Sequence, residues 1–181
     1  MGQVGVSKAR HIRYTHVSGK LFRTMDNKQF NDFFTETFDK EFGDYLSPFG
    51  FKRTEKIADK DGGHLTFENG DREVNIYSST HPLDYPHFWN IIFRLHDGDV
   101  KNSDYDKVPL WAIKKELIPG SNPQEYSLAD KGTMGLITTD RLKSTLKAGL
   151  TDLEKYNAGF LTGELKEFKR IRKLRLEKAS R

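Results

Sequence analysis

The stretch that decides the fold is His64-Leu65-Thr66-Phe67-Glu68-Asn69-Gly70-Asp71-Arg72-Glu73-Val74-Asn75-Ile76-Tyr77-Ser78-Ser79. Two runs alternate apolar and polar residues on either side of Asn69-Gly70. Leu65 and Phe67 fall on one face of the first run, and Val74 and Ile76 on one face of the second. A strand with period two buries one face and leaves the other polar. Asn-Gly is the strongest short hairpin signal, because both residues of such a turn tolerate positive φ. An antiparallel hairpin is therefore expected.

Outward from the hairpin the pattern continues. After a loop holding Pro82 and Pro86, the run His87–His96 sets Trp89, Ile91, Phe93 and Leu95 on one face, with Phe88 and Ile92 partly filling the other. Apolar groups on both faces mark a central strand. Upstream, Asp59–Gly63 reads as a turn, and Phe51–Ala58 as a poorly alternating first strand. Before it lies a helix from Asn27 to Leu46: Phe30, Phe34, Phe38, Phe42 and Leu46 recur every four residues. Asp26 and Gln29 have capping-box spacing, and Ser47-Pro48 ends the helix. Downstream, a short helix is expected around Leu110–Leu117, then a Gly/Pro-rich connection. A long helix starts near Thr139 with Leu142, Leu146, Leu150 and Leu153 on one side, bent or broken near Gly159 and Gly163. A last helix over 164–178 buries Leu165, Phe168 and Ile171. The expected fold class is α+β: an N-terminal helix, a four-stranded antiparallel meander, and C-terminal helices packed on one face.

Composition agrees. The chain has 181 residues, 35% of them hydrophobic and 12% aromatic, which suffices for one domain with a sizeable core. It has no cysteine, so disulfides and thiolate metal sites are excluded. No apolar run reaches the ~20 residues of a membrane span. Both features fit a cytoplasmic chain. The net charge of +4 hides an uneven distribution. Residues 1–24 carry +5, residues 166–181 carry +6, and 25–165 therefore carry −7. Three regions are expected: a flexible basic extension (1–24), a single α+β domain (25–165) and a basic helical tail (166–181). Met25 stands just before the helix start, which suggests that 1–24 is added from an upstream start; an ordered arm is the alternative.

Several side-chain groups invite chemistry. His81, Asp84 and His87 can be brought together by their loop as three ligands of a metal site, although no HExxH-type spacing accompanies them. Glu68, Glu73 and Lys56 are the residue types of a metal-dependent nuclease, assembled by the hairpin, with a solvated sheet face as the plain alternative. There is no P-loop and no Gly-x-Ser-x-Gly, and no cofactor is expected. Lys166, Lys169, Arg170 and Lys173 share one side of the last helix, a pattern suited to nucleic acid or to a solvated face. The acidic turns hold Asp97, Asp99, Asp104 and Asp106, with Tyr105 among them.

Tyr45-Leu46-Ser47-Pro48-Phe49-Gly50-Phe51-Lys52, followed by Phe67-Glu68-Asn69-Gly70, Val74-Asn75-Ile76-Tyr77 and Phe93-Arg94-Leu95, forms a layout over about residues 27–117. It resembles small bacterial α+β domains, some regarded as immunity proteins beside polymorphic toxins. The resemblance carries no catalytic motif. It implies a non-enzymatic binding protein, whose acidic body steers onto a basic protein partner such as a nuclease toxin. On that expectation the exposed acids Asp97, Asp99, Asp104 and Asp106, with Tyr105, meet the partner. The alternatives are nucleic-acid binding through the basic tail and a metal-dependent hydrolase.

Overall fold

The computed structural model describes residues 16–17, 20–21, 27–81, 88–97, 106–124, 126–128 and 138–179. The first elements are two short antiparallel strands, β1 (His16–Val17) and β2 (Lys20–Leu21), within a stretch that carries no strand periodicity. Helix α1 spans Asn27–Leu46, as its four-residue phenylalanine spacing dictates, while Asp26 lies outside the described residues. Its buried stripe is Phe30, Phe34, Phe38, Phe42 and Leu46. Each such phenylalanine contributes about 1.5–3 kcal/mol of transfer free energy. A 3₁₀ turn, Ser47–Phe49, and Gly50 at φ 79° redirect the chain into the sheet.

Four long strands then run as an antiparallel meander: β3 (Lys52–Ala58), β4 (Gly62–Asn69), β5 (Arg72–Ser79) and β6 (Phe88–Leu95). Two short strands, β7 (Val108–Pro109) and β8 (Tyr126–Ser127), both pair with β6, so the sheet has six strands. The hairpin closes at Asn69–Arg72, and its tight loop is Gly70-Asp71, one residue later than the Asn-Gly signal. Gly70 takes φ 62°, while Asn69 stays in the ladder and donates from Nδ2 to the Phe49 carbonyl at 2.7 Å. β3 alternates poorly because its register slips between Arg53 and Glu55. A bulge of this kind inserts an unpaired residue and shifts the side-chain period.

The register sorts side chains into two faces. On one, Gly63, Ser78 and Trp89 form a row, Leu65, Ile76 and Ile91 a second, and Phe67, Val74, Phe93 and Val108 a third. The helices cover this face. α1 lies over β4 and β3, anchored by Asn31, whose Nδ2 donates to the Asp59 carbonyl and to Thr80 Oγ1, both at 2.8 Å. α2 (Leu110–Leu117), α3 (Thr139–Thr162) and α4 (Lys166–Ala179) complete the layer. Trp89 is its hub. It stacks on Tyr126 with centroids 4.4 Å apart, meets Phe38 edge-on at 4.7 Å, and donates from Nε1 to Thr145 Oγ1 at 3.0 Å. Phe160 joins α3 to β6 through Phe93 and to α4 through Phe168, at 5.2 and 4.6 Å. This is an α+β fold with its core between one sheet face and the helices.

α3 starts at Thr138, whose side chain accepts from the Arg141 N–H, and ends at Gly163 with φ 90°. Its bend is at Asn157, upstream of both glycines. Arg72 reaches across from β5 and donates from Nη1 to the carbonyls of Phe160 and Leu161, capping the negative end of α3. Among the described residues no helix is long and apolar enough to cross a membrane.

Candidate functional site

The other face of the sheet is where polar side chains gather. His64, Thr66 and Glu68 of β4, Glu73, Asn75 and Tyr77 of β5, and Ile92 and Arg94 of β6 point to it, together with Glu55 and Ile57 of β3. They floor an open depression of about 890 Å³, with Asp59, Asp61 and Lys107 at its margin. Ile57, the most exposed large apolar side chain among the described residues at 44%, also lines it.

The floor is wired together. Thr66 Oγ1 donates to Asn75 Oδ1 at 2.9 Å, and His64 Nε2 lies 2.6 Å from the same oxygen. Asn75 Nδ2 donates to Glu73 Oε1, and His96 Nε2 meets Glu73 Oε2 at 2.7 Å. Glu73 is only 8% exposed, and the register sets it between Glu68 and Arg94. A buried carboxylate is tolerated when its lone pairs are filled, and here both oxygens are bonded. The Thr66 hydroxyl also lies 3.2 Å from His64 Nε2 and 3.4 Å from Glu55 Oε2. The arrangement is a stiff polar platform, suited to recognition.

Asp106 is not a surface acid: it is 2% exposed, and its carboxylate lies 3.3 Å from both Arg172 Nη1 and Arg94 Nε. Asp97 accepts from Arg172 Nη2 at 2.6 Å, and Lys169 Nζ approaches it at 3.5 Å. The physical reason is Arg172. α4 sends this guanidinium into the interior at the end of β6, where it also bonds the Leu95 carbonyl, and a buried cation draws in the available carboxylates. The guanidinium is held even more firmly protonated than usual, by the hydrogen bond to Asp97 first and by the charges of both aspartates. Asp99, Asp104 and Tyr105 lie outside the described residues, as do Asp84 and His87. His81 is half-buried just beyond β5. Among the described residues no three His, Asp or Glu side chains converge as a metal site. Lys56 points to the helix side, where Asp39 takes it and Arg53, so it does not join Glu68 and Glu73.

On α4, Lys166, Lys169, Arg170 and Lys173 are exposed, and Phe168, Ile171 and Arg172 are buried. Arg170 is held by Glu167 and Lys169 by Asp97, which reduces the free positive charge of that side. Sequence reasoning gave Asn75 no role, and it weighed Tyr77 only as part of an aromatic stacking platform and His64 only as a strand histidine. Their signal was the even positions of β4 and the odd positions of β5, opposite in face to the apolar ones.

No protein-family model, no curated protein and no solved structure matches this chain.

Proposed function

We propose that this chain is a non-enzymatic protein-binding domain, of the immunity type, that receives a basic protein partner on the open face of its sheet. The observation that carries the reading is the depression lined by Glu55, Asp59, Asp61, Glu68 and Glu73, against Arg94 and Lys107 as its basic residues, with Arg94 already neutralised by Asp106. An acidic concavity over a hydrogen-bonded floor favours a positively charged visitor and raises its association rate. Tyr77, Ile57 and Ile92 add the apolar and aromatic contacts that anchor an interface. Relative to the expectation from the turns, the binding acids move from the Asp97–Asp106 region onto the sheet. The nucleic-acid reading has less behind it, because Arg170, Lys169 and Lys178 each have an acidic neighbour and Arg172 is internal.

The test is affinity capture from the source cells with the full chain and with a Glu55→Lys/Glu68→Lys variant. The reading expects a basic protein bound by the wild type, released at about 0.5 M salt where the Debye length falls to a few ångströms, and absent from the variant. Equal retention by the variant, or recovery of nucleic acid alone, refutes it.

A further inference from the structure

A second surface stands apart from the sheet face, where α4 crosses α2. Arg175 lays its guanidinium over the Trp111 ring, 5.7 Å from the centroid. Its Nε is buried and has no hydrogen-bond partner, which leaves the two terminal nitrogens as the accessible donors. The other described arginines all reach an acceptor: Arg53 meets Asp39, Arg72 the α3 carbonyls, Arg94 Asp106, Arg141 the Ser127 carbonyl, Arg170 Glu167, and Arg172 two aspartates. Burial alone pushes the Arg175 guanidinium below the usual arginine value, with no carboxylate to offset it. The orphaned Nε faces the interior, beyond a ligand's reach, so the donors on offer are the two terminal nitrogens, for which no acceptor is found among the described residues.

We infer that the Arg175–Trp111 shelf binds a carboxylate presented by an acidic protein segment. A planar guanidinium presents parallel N–H donors that match the two oxygens of a carboxylate, and stacking on an indole fixes its orientation beforehand. The surrounding cations select a single acid over a polyanion. Lys178 is taken by Glu116 at 2.9 Å, Lys114 by Asp152 at 2.6 Å, and Arg172 by Asp97. A phosphate backbone needs several free cations in a row; this shelf offers Arg175 and, one turn along α2 from Trp111, Lys115, together with an aromatic face that suits an apolar neighbour of the acid.

The protein carries its own reporter. It has two tryptophans, of which Trp89 is fully buried and Trp111 is partly exposed beneath Arg175. The full chain is titrated with a blocked peptide holding Glu next to Leu, with its Gln counterpart, and with a single-stranded DNA oligonucleotide, while tryptophan emission is read. The Glu peptide is expected to give a saturable change with a dissociation constant on the order of 1 mM. The Gln peptide, and Arg175→Met with the Glu peptide, are expected to bind at least about tenfold more weakly. If Arg175→Met does not fold, Arg175→Lys replaces it; keeping the charge but losing the fork, it is expected to weaken binding several-fold. Equal responses to the Glu and Gln peptides, undiminished binding by the folded variant, or DNA binding that depends on Arg175 and exceeds that of the Glu peptide overturns the inference.

Discussion

Replacing Gly149 by alanine tests how tightly the tryptophan hub is held. In an ordinary helix interior, Gly→Ala stabilises by about 0.8–1 kcal/mol. Gly149 lies within α3, and its residue-level environment is buried. A β-carbon there would stand 2.3 Å from Trp89 Cη2 and 3.0 Å from Cζ2. The ring cannot yield cheaply. Moving it away from α3 lengthens the 3.0 Å bond from Nε1 to Thr145 and drives the indole toward Phe38 and Tyr126, already in contact at 4.7 and 4.4 Å. Overpacking of a filled core costs about 1–3 kcal/mol, and loss of the indole hydrogen bond adds about 1–3. Net of the helix gain, the substitution is expected to destabilise by roughly 2–4 kcal/mol. For a chain of this size that lowers Tm by about 4–16 °C. Thermal and urea melts of Gly149→Ala, Trp89→Phe and the double variant measure it. The double variant should recover part of the loss, because phenylalanine withdraws the six-membered ring that alanine strikes; the coupling is read from the cycle. A neutral or stabilising Gly149→Ala would show that the hub is looser than these distances imply.

Three further outcomes are expected. Arg172→Met takes from Asp97 and Asp106 the guanidinium they share near the end of β6, and is expected to cost about 3–5 kcal/mol in urea unfolding; a cost below about 1 kcal/mol would mean the pairs behave as surface ones. Arg72→Met uncaps α3 and should cost about 1–2 kcal/mol, with hydrogen exchange quickening first around Phe160 and Leu161, whose carbonyls it holds. The Tyr126 phenol is pushed well above its ordinary value of 10.0, chiefly by burial and then by its hydrogen bond to Asp152. Its contribution is therefore complete below pH 10 and is lost as pH rises above that, where only the unfolded chain ionises; Tyr126→Phe should flatten the alkaline fall in stability, and an unchanged slope counts against the burial.

The four-residue spacing of α1 and the alternation of β4, β5 and β6 were legible because each element has a single apolar face, and periodicity reports that directly. The hairpin was legible to within one residue: Asn69 is held in the ladder by the Phe49 carbonyl, so the loop moves on to Gly70-Asp71. β7 and β8 have two residues each, too few to show a period, and exist because β6 offers them an edge. The site was harder to read. Asp106 and Arg172 are 66 residues apart, and nothing local to Asp106 says that a distant helix will insert a cation beside it. The polar floor was ambiguous for a similar reason. A solvated face and a hydrogen-bonded platform share the same alternation, and differ only in whether Thr66, Asn75 and Glu73 satisfy one another.

The two margins of the sheet are unlike. Beyond β6 the ladder is taken up by two stubs of two residues each, one of which ends in Pro109 and runs straight into α2. Beyond β3 no strand pairs among the described residues, and the edge is fringed by Lys52, Arg53, Glu55 and Lys56 and kinked by its bulge. A fibril grows by adding strands at both margins, and its recruits need a flat, uncharged ladder. The charges and bulge of β3 and the stubs on β6 thus deny a recruit the flat, uncharged ladder it needs at either margin.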